Sequence, residues 1–204
     1  MNSPVHELIR ELIARERIQQ GAIDLLDAAE STGFYQHPAS LSGKYHRPDE
    51  CVPGGLVLHT CRVMKMALHA AERHALSPEE RDYVVGAAAI HDLVKFGERW
   101  GVGEAARRAA FKNHGPGLIT WGHLAIWPAV TPEQATLLEV AARHNGRWSP
   151  EGYEPLTPME IALHEADFYA SRGDVLVELP APTKAGWAER VAGWVCRLLP
   201  HAGK

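Results

Sequence analysis

The chain has 204 residues, of which 46% are hydrophobic and 23% charged, with a formal net charge of −4. That length suits one sizeable domain with a substantial core, and the acidic balance argues against a broad nucleic-acid-binding surface. No run approaches the roughly eighteen uninterrupted apolar residues of a membrane span, the stretch VHELIRELIARER reads as no secretory signal, and Cys51, Cys61 and Cys196 make no C-x-x-C pair, so a cytoplasmic protein with free thiols is expected.

Ser3-Pro4 opens a first amphipathic helix expected to run to about Glu30, with Ser suited to the cap, Pro to the first helical position, and Val5, Leu8, Ile9, Leu12 and Ile13 as its apolar stripe. A loop rich in Gly, Pro and Ser follows over residues 31–54; with Lys44, His46 and Arg47 it reads either as a lid or as ordinary surface. The helix carrying His59 then runs to about His74. Ser77-Pro78-Glu79-Glu80 is a capping box for the helix that delivers His91-Asp92 and stops at Gly97. Two shorter helices, Gly103 to Lys112 and Leu118 to Trp127, come next, the second broken by Pro128. Thr131-Pro132-Glu133-Gln134 and Thr157-Pro158-Met159-Glu160 are further capping boxes, opening the helices that carry His144 and Asp167, the latter ending near Gly173. A last helix is expected from Thr183 to Leu199, and the one β-like run, Val175 to Leu179, is too short and isolated to make a sheet. With no internal repeat, and with Pro180-Ala181-Pro182 as a connector, the reading is all-α and one domain over residues 1–204.

The chemistry concentrates in AAAIHDLVKFGE, where His91 and Asp92 close an apolar stretch. Burying an unpaired imidazole and carboxylate costs several kcal/mol, on the order of a domain's whole stability, unless a cation or dense hydrogen bonding compensates. His59 shares a stripe with Val63 and Met66, His123 with Ile119 and Trp127, His144 with Leu137 and Val140, and Asp167 with Leu163 and Ala170. One such histidine is ordinarily a core residue satisfied by a hydrogen bond. Six inward-facing nitrogen and oxygen donors on separate apolar stripes point to metal.

His59, then His91-Asp92, then Asp167, on successive helices of an all-α domain, resemble the HD superfamily of metal-dependent phosphohydrolases, over about residues 40–175 with flanking helices at both ends. GGLVLHT at His59, HDLVKFGE at His91, GHL at His123, ARHNG at His144 and TPMEIALHEADFYASR around Asp167 are similar to the HD domain of bacterial 3′→5′ exoribonucleases. The chain departs from them at Asn145, where the relatives usually carry a second histidine, and in leaving no room for their N-terminal nucleic-acid-binding barrel.

The resemblance implies a single-domain HD-type helical bundle whose metal ligands are His59, His91, Asp92, His123, His144 and Asp167. Imidazole and carboxylate without thiolate suit Mn²⁺, Fe²⁺, Co²⁺, Ni²⁺ or Zn²⁺. His59, His91, Asp92 and Asp167 hold one ion; His123 and His144 supply a second, giving a pair roughly 3.5–4 Å apart bridged by Asp92, so one or two ions remain open with two preferred. Water activated there would attack phosphorus. Lys95, one turn beyond His91, is expected beside the metal as a phosphate-binding and catalytic cation, Arg62 is a weaker substrate contact, and Trp148 is the tryptophan best placed to stack a base. His114 and Asn113 read as a helix terminus or a pocket wall. The implied activity is cleavage of a phosphoester in a nucleotide or short oligonucleotide. A nucleotide phosphatase or triphosphohydrolase is the alternative, and a di-iron oxygenase with the same six ligands is less favoured. No membrane partner is expected, and the oligomeric state is left open.

Overall fold

A computed structural model describes residues 3–97, 113–126 and 128–172. Seven α-helices occur among them: α1 (Pro4–Leu12), α2 (Glu16–Ala28), α3 (Gly55–Arg73), α4 (Pro78–Ile90), α5 (His114–Ala125), α6 (Pro132–Ala142) and α7 (Pro158–Ser171). No strand occurs in the described residues, and the fold is the all-α one expected. None of these helices is long and apolar enough to cross a membrane. The expected helices at Gly103–Lys112 and Thr183–Leu199, the run Val175–Leu179, and Trp100, Trp127 and Cys196 lie outside the described residues.

All three expected capping boxes form. Ser77, Thr131 and Thr157 each accept from the backbone N–H three residues on, and Glu80, Gln134 and Glu160 reach back to the cap N–H. Each box satisfies two otherwise orphaned donors. It thereby fixes where α4, α6 and α7 begin.

Four helix boundaries differ from expectation. Helix α5 starts at His114 rather than Leu118, and α6 ends at Ala142, short of His144. The helix foreseen from Ser3 to Glu30 is two, because Ile13 leaves the helical region (φ −103°, ψ 119°) and α2 starts afresh at Glu16. The break turns Ile13 inward, where it and Ile18 meet Gly86 of α4. One straight helix would run roughly 40 Å and could not bury both Val5–Ile9 and Ile18–Leu26 against the same core. The helix foreseen to carry His91-Asp92 as far as Gly97 ends at Ile90, and residues 91–96 form successive turns, with Leu93, Lys95 and Gly97 donating to the carbonyls three residues back. That segment stays buried throughout.

Helix α3 packs against α4 and α7, α4 also against α2, α6 and α7, and α5 lies on α6. Ile90, Leu93, Met64, Leu118, Leu137, Leu138 and Leu163 are fully buried at these contacts. The ends of α4 and α6, the start of α5 and the faces of α3 and α7 therefore converge on one point of the bundle.

Candidate metal centre

His59 lies on the buried face of α3 and Asp167 on α7, the helix packed across it; His59 Nε2 and Asp167 Oδ1 are 3.0 Å apart. His91 stands just past α4, with Nε2 3.9 Å from the same Asp167 oxygen and 3.4 Å from Asp92 Oδ2. Its Nδ1–H donates to the carbonyl of Ala88 at 2.7 Å, capping the end of α4. A neutral imidazole with Nδ1 protonated has its lone pair on Nε2, so His91 aims an acceptor inward. His144, just past α6, repeats the device through the carbonyl of Ala141 at 2.7 Å. Its Nε2 lies 3.6 Å from Asp92 Oδ1.

Among the described residues three groups could hold an ion: His59, His91 and Asp167 form one, Asp92, His114 and His144 a second, and His46 and Glu50 form a third with His59 from its other side. Asp92 stands between the first two: Oδ2 faces His91 and, at 4.0 Å, His59, while Oδ1 faces His114 at 3.2 Å and His144. His59, His91, Asp92, His144 and Asp167 are thus brought together as expected. His123 is not. It is exposed on α5, beside exposed Thr120 and Leu124, and the expectation that it faces inward is corrected. The inward face of α5 carries Leu118, Trp121 and Gly122. His114 opens that helix four residues before Leu118, and its Nε2 lies 3.0 Å from His144 Nε2. Asn145 Nδ2 is 3.3 Å from the same His114 nitrogen.

Buried polar atoms test whether these residues fit a metal. His91 Nε2 and Asp92 Oδ1 are buried and make no hydrogen bond, a costly state for two acceptors. Both atoms face the centre where the two groups meet, and a cation is the partner that satisfies both. Two imidazole nitrogens 3.0 Å apart match adjacent ligands of one ion at bonds of about 2.1 Å. The donors are all nitrogen and oxygen, which suits a divalent transition metal. The residues fit.

Burial lowers the pKa of His144, and the neighbouring His114 and His91 lower it further, to about 3, so it stays neutral and able to ligate. Burial also works against a charge on His59, but the carboxylates of Asp167 and Glu50 outweigh it and push that pKa up to about 9. Burial alone would raise Asp92 and Asp167; Lys95 and His91 around the first, and His59 around the second, hold both below the usual carboxylate range.

The remaining expected residues fall in different places. Lys95 is buried, its Nζ donating to Asp92 Oδ2 at 2.6 Å, so it does stand beside the ligands. Arg62, expected to meet substrate, is instead buried against the carboxylates of Asp49 and Glu50. Trp148 is exposed in the turn after His144. Tyr45 and Leu41 leave the 31–54 loop exposed in part, but its far end is built into the centre: His46 Nδ1 lies 3.0 Å from Glu50 Oε2, which is itself 3.6 Å from His59 Nδ1.

Glu50 is the residue that sequence reasoning missed. It is fully buried, and it is held where it is because Gly55 lets α3 start directly on it: a Cβ at Gly55 would lie 2.1 Å from the Glu50 carbonyl oxygen. A carboxylate behind a ligating imidazole fixes its tautomer and ring orientation. Burial, which opposes its charge, is outweighed by His46, His59 and Arg62, and Glu50 sits well below the ordinary carboxylate range.

No curated protein and no solved structure matches the chain. A family model described as HD domain matches residues 56–171, more than half of the sequence and all six residues of the two groups that meet at Asp92, and the chain belongs to the HD superfamily of metal-dependent hydrolases.

Proposed function

We propose that the protein is a phosphohydrolase that cleaves a phosphoester of a nucleotide or a short nucleic-acid end with water, using two divalent transition-metal ions. The observation that carries this reading is the position of Asp92, whose two oxygens face separate groups of ligands while a lysine ammonium rests on one of them. His59, His91 and Asp167 would hold one ion, Asp92, His114 and His144 the other, with Asp92 shared. Such ions supply an activated water and offset charge on phosphoryl oxygens.

The chain's own groups do the rest. The Ala88 and Ala141 carbonyls accept from Nδ1 of His91 and His144 and fix both rings with Nε2 turned into the site. Lys95 offers a compact positive charge beside Asp92, suited to a phosphoryl oxygen entering the site. The buried walls keep bulk water from screening these charges. The likeness of GGLVLHT, HDLVKFGE and ARHNG to exoribonuclease HD domains supports a nucleic-acid end as substrate, and the acidic chain supports a short one.

Protein purified without oxygen and loaded with Mn²⁺ should cleave at least one member of a panel of nucleoside mono- and triphosphates, cyclic dinucleotides and short oligonucleotides. His91→Ala should abolish that turnover. Lys95→Ala should keep its metal but turn over at least roughly tenfold more slowly, in line with the loss of a positioned charge, and Lys95→Arg should restore only part of the rate. Substrate-dependent oxygen consumption without phosphoester cleavage would replace this reading with the oxygenase one, and processive degradation of long RNA would overturn the assignment of short substrates.

A further inference from the structure

Beside the ligands lies an aromatic surface that neither the metal centre nor the fold requires. Trp148 is 55% exposed, a large apolar ring left in water, and with Arg147, His164, Glu165, Phe168 and Tyr169 it borders a cavity of about 320 Å³. The planes of Trp148 and Phe168 are within 14° of parallel, with ring centroids 6.4 Å apart. Offset-parallel rings pair with centroids about 4.5–7 Å apart, so Trp148 and Phe168 form one stacked aromatic surface whose tryptophan is left exposed. Cations flank the rings: the Arg147 guanidinium lies 4.4 Å from the Trp148 centroid, and that of Arg172 4.2 Å from Phe168 and 4.9 Å from Tyr45.

This surface is fastened to the metal ligands. Phe168 follows Asp167 on α7, and His164, one turn before it, donates its Nδ1–H to the carbonyl of His144 at 2.7 Å. Gly146 has φ +58°, and a Cβ there would sit 2.2 Å from the His164 ring. Only glycine lets the turn after His144 lie on that ring and set Trp148 opposite Phe168. A purely apolar partner would gain nothing from guanidinium groups over the rings, whereas a planar base linked to phosphate uses both the π-faces and the charges.

Resting on the phosphohydrolase reading above, we propose that the Trp148–Phe168 surface is a nucleobase subsite: it stacks the base of a nucleoside phosphate whose phosphoryl group reaches the metal centre, with Arg147 and Arg172 adding positive charge beside the sugar-phosphate. The substrate class is thereby a nucleotide rather than a simple sugar or lipid phosphate.

The test uses the full chain loaded with metal and compares adenosine 5′-monophosphate with ribose 5-phosphate, which differ only in the base. Binding is read by NMR at the Trp148 indole Nε1–H, identified by its absence in Trp148→Phe, and by equilibrium dialysis for the variants. The nucleotide should move that resonance and ribose 5-phosphate should not. Trp148→Ala and Phe168→Ala should each weaken nucleotide binding on the order of tenfold, the scale of one lost stacking contact, with metal content and ribose 5-phosphate binding unchanged. Equal affinity for the two ligands, or nucleotide binding indifferent to both substitutions, would overturn the subsite. Base-dependent binding without hydrolysis of any phosphoester would instead sink the phosphohydrolase reading and leave the subsite standing.

Discussion

His114 and His123 share helix α5, yet only His114 reaches Asp92. The neighbours Ile119 and Trp127 give His123 an inward look in the sequence, but the face of α5 that packs is defined by Leu118, Trp121 and Gly122, and His114 extends that face at the helix start. His59, His91, Asp92, His144 and Asp167 were legible because each sits on or just beyond a strongly apolar stripe. Glu50 was not, since it belongs to a loop whose residues follow no period and is buried by a tertiary contact with α3. The two histidines separate by measurement: His114→Ala should bring the metal content from about two ions to about one, and His123→Ala should leave it unchanged. Metal analysis showing the reverse would restore His123 as the ligand. Glu50→Gln keeps the shape but loses the carboxylate behind His59, so metal affinity should fall roughly 10–100-fold, and thermal stability should drop because Arg62 keeps only Asp49. A titration showing native affinity would reduce Glu50 to a partner of Arg62 alone.

Helices α4, α6 and α7 start where their capping boxes say they do, because that signal is local and complete in four residues. The ends of α3 and α7 also fall close to the expected His74 and Gly173, but other ends were illegible. The break at Ile13 and the stop at Ile90 are set by what the side chains meet in the bundle, Gly86 in one case and the ligand cluster in the other. The seam between α5 and α6 depends on Gly115, where a Cβ would lie 2.2 Å from the Ala142 carbonyl oxygen. That neighbour is backbone and cannot rotate aside. Gly115→Ala should therefore cost about 1–3 kcal/mol, as overpacking does, and should draw His114 away from His144 and weaken the second ion more than the first. Calorimetry and metal titration check the two parts; an unchanged Tm with full metal content would mean that the seam yields freely.

The bundle closes around two carboxylates and four imidazoles, among them the buried acceptors His91 Nε2 and Asp92 Oδ1 that make no hydrogen bond. Chelation should therefore lower Tm, and ions at a hundred times their Kd should add about 2.7 kcal/mol per site. Outside the ligand set, burial pushes Cys61 from 9.0 and Tyr35 from 10.0 up to about 12. The folded chain holds those protons longer than the unfolded one, so their contribution is complete below the unfolded values and is lost as pH rises towards the folded ones. Unfolding midpoints should fall between pH 9 and 12, and Cys61→Ala should flatten the early part of that decline. The most direct test of the account is the metal content of the wild-type chain and of Asp92→Ala, measured by elemental analysis after anaerobic purification. A carboxylate shared by two ions predicts about two ions per wild-type chain and loss of both in Asp92→Ala, with helical content retained; an Asp92→Ala protein holding the wild-type complement of metal would contradict it.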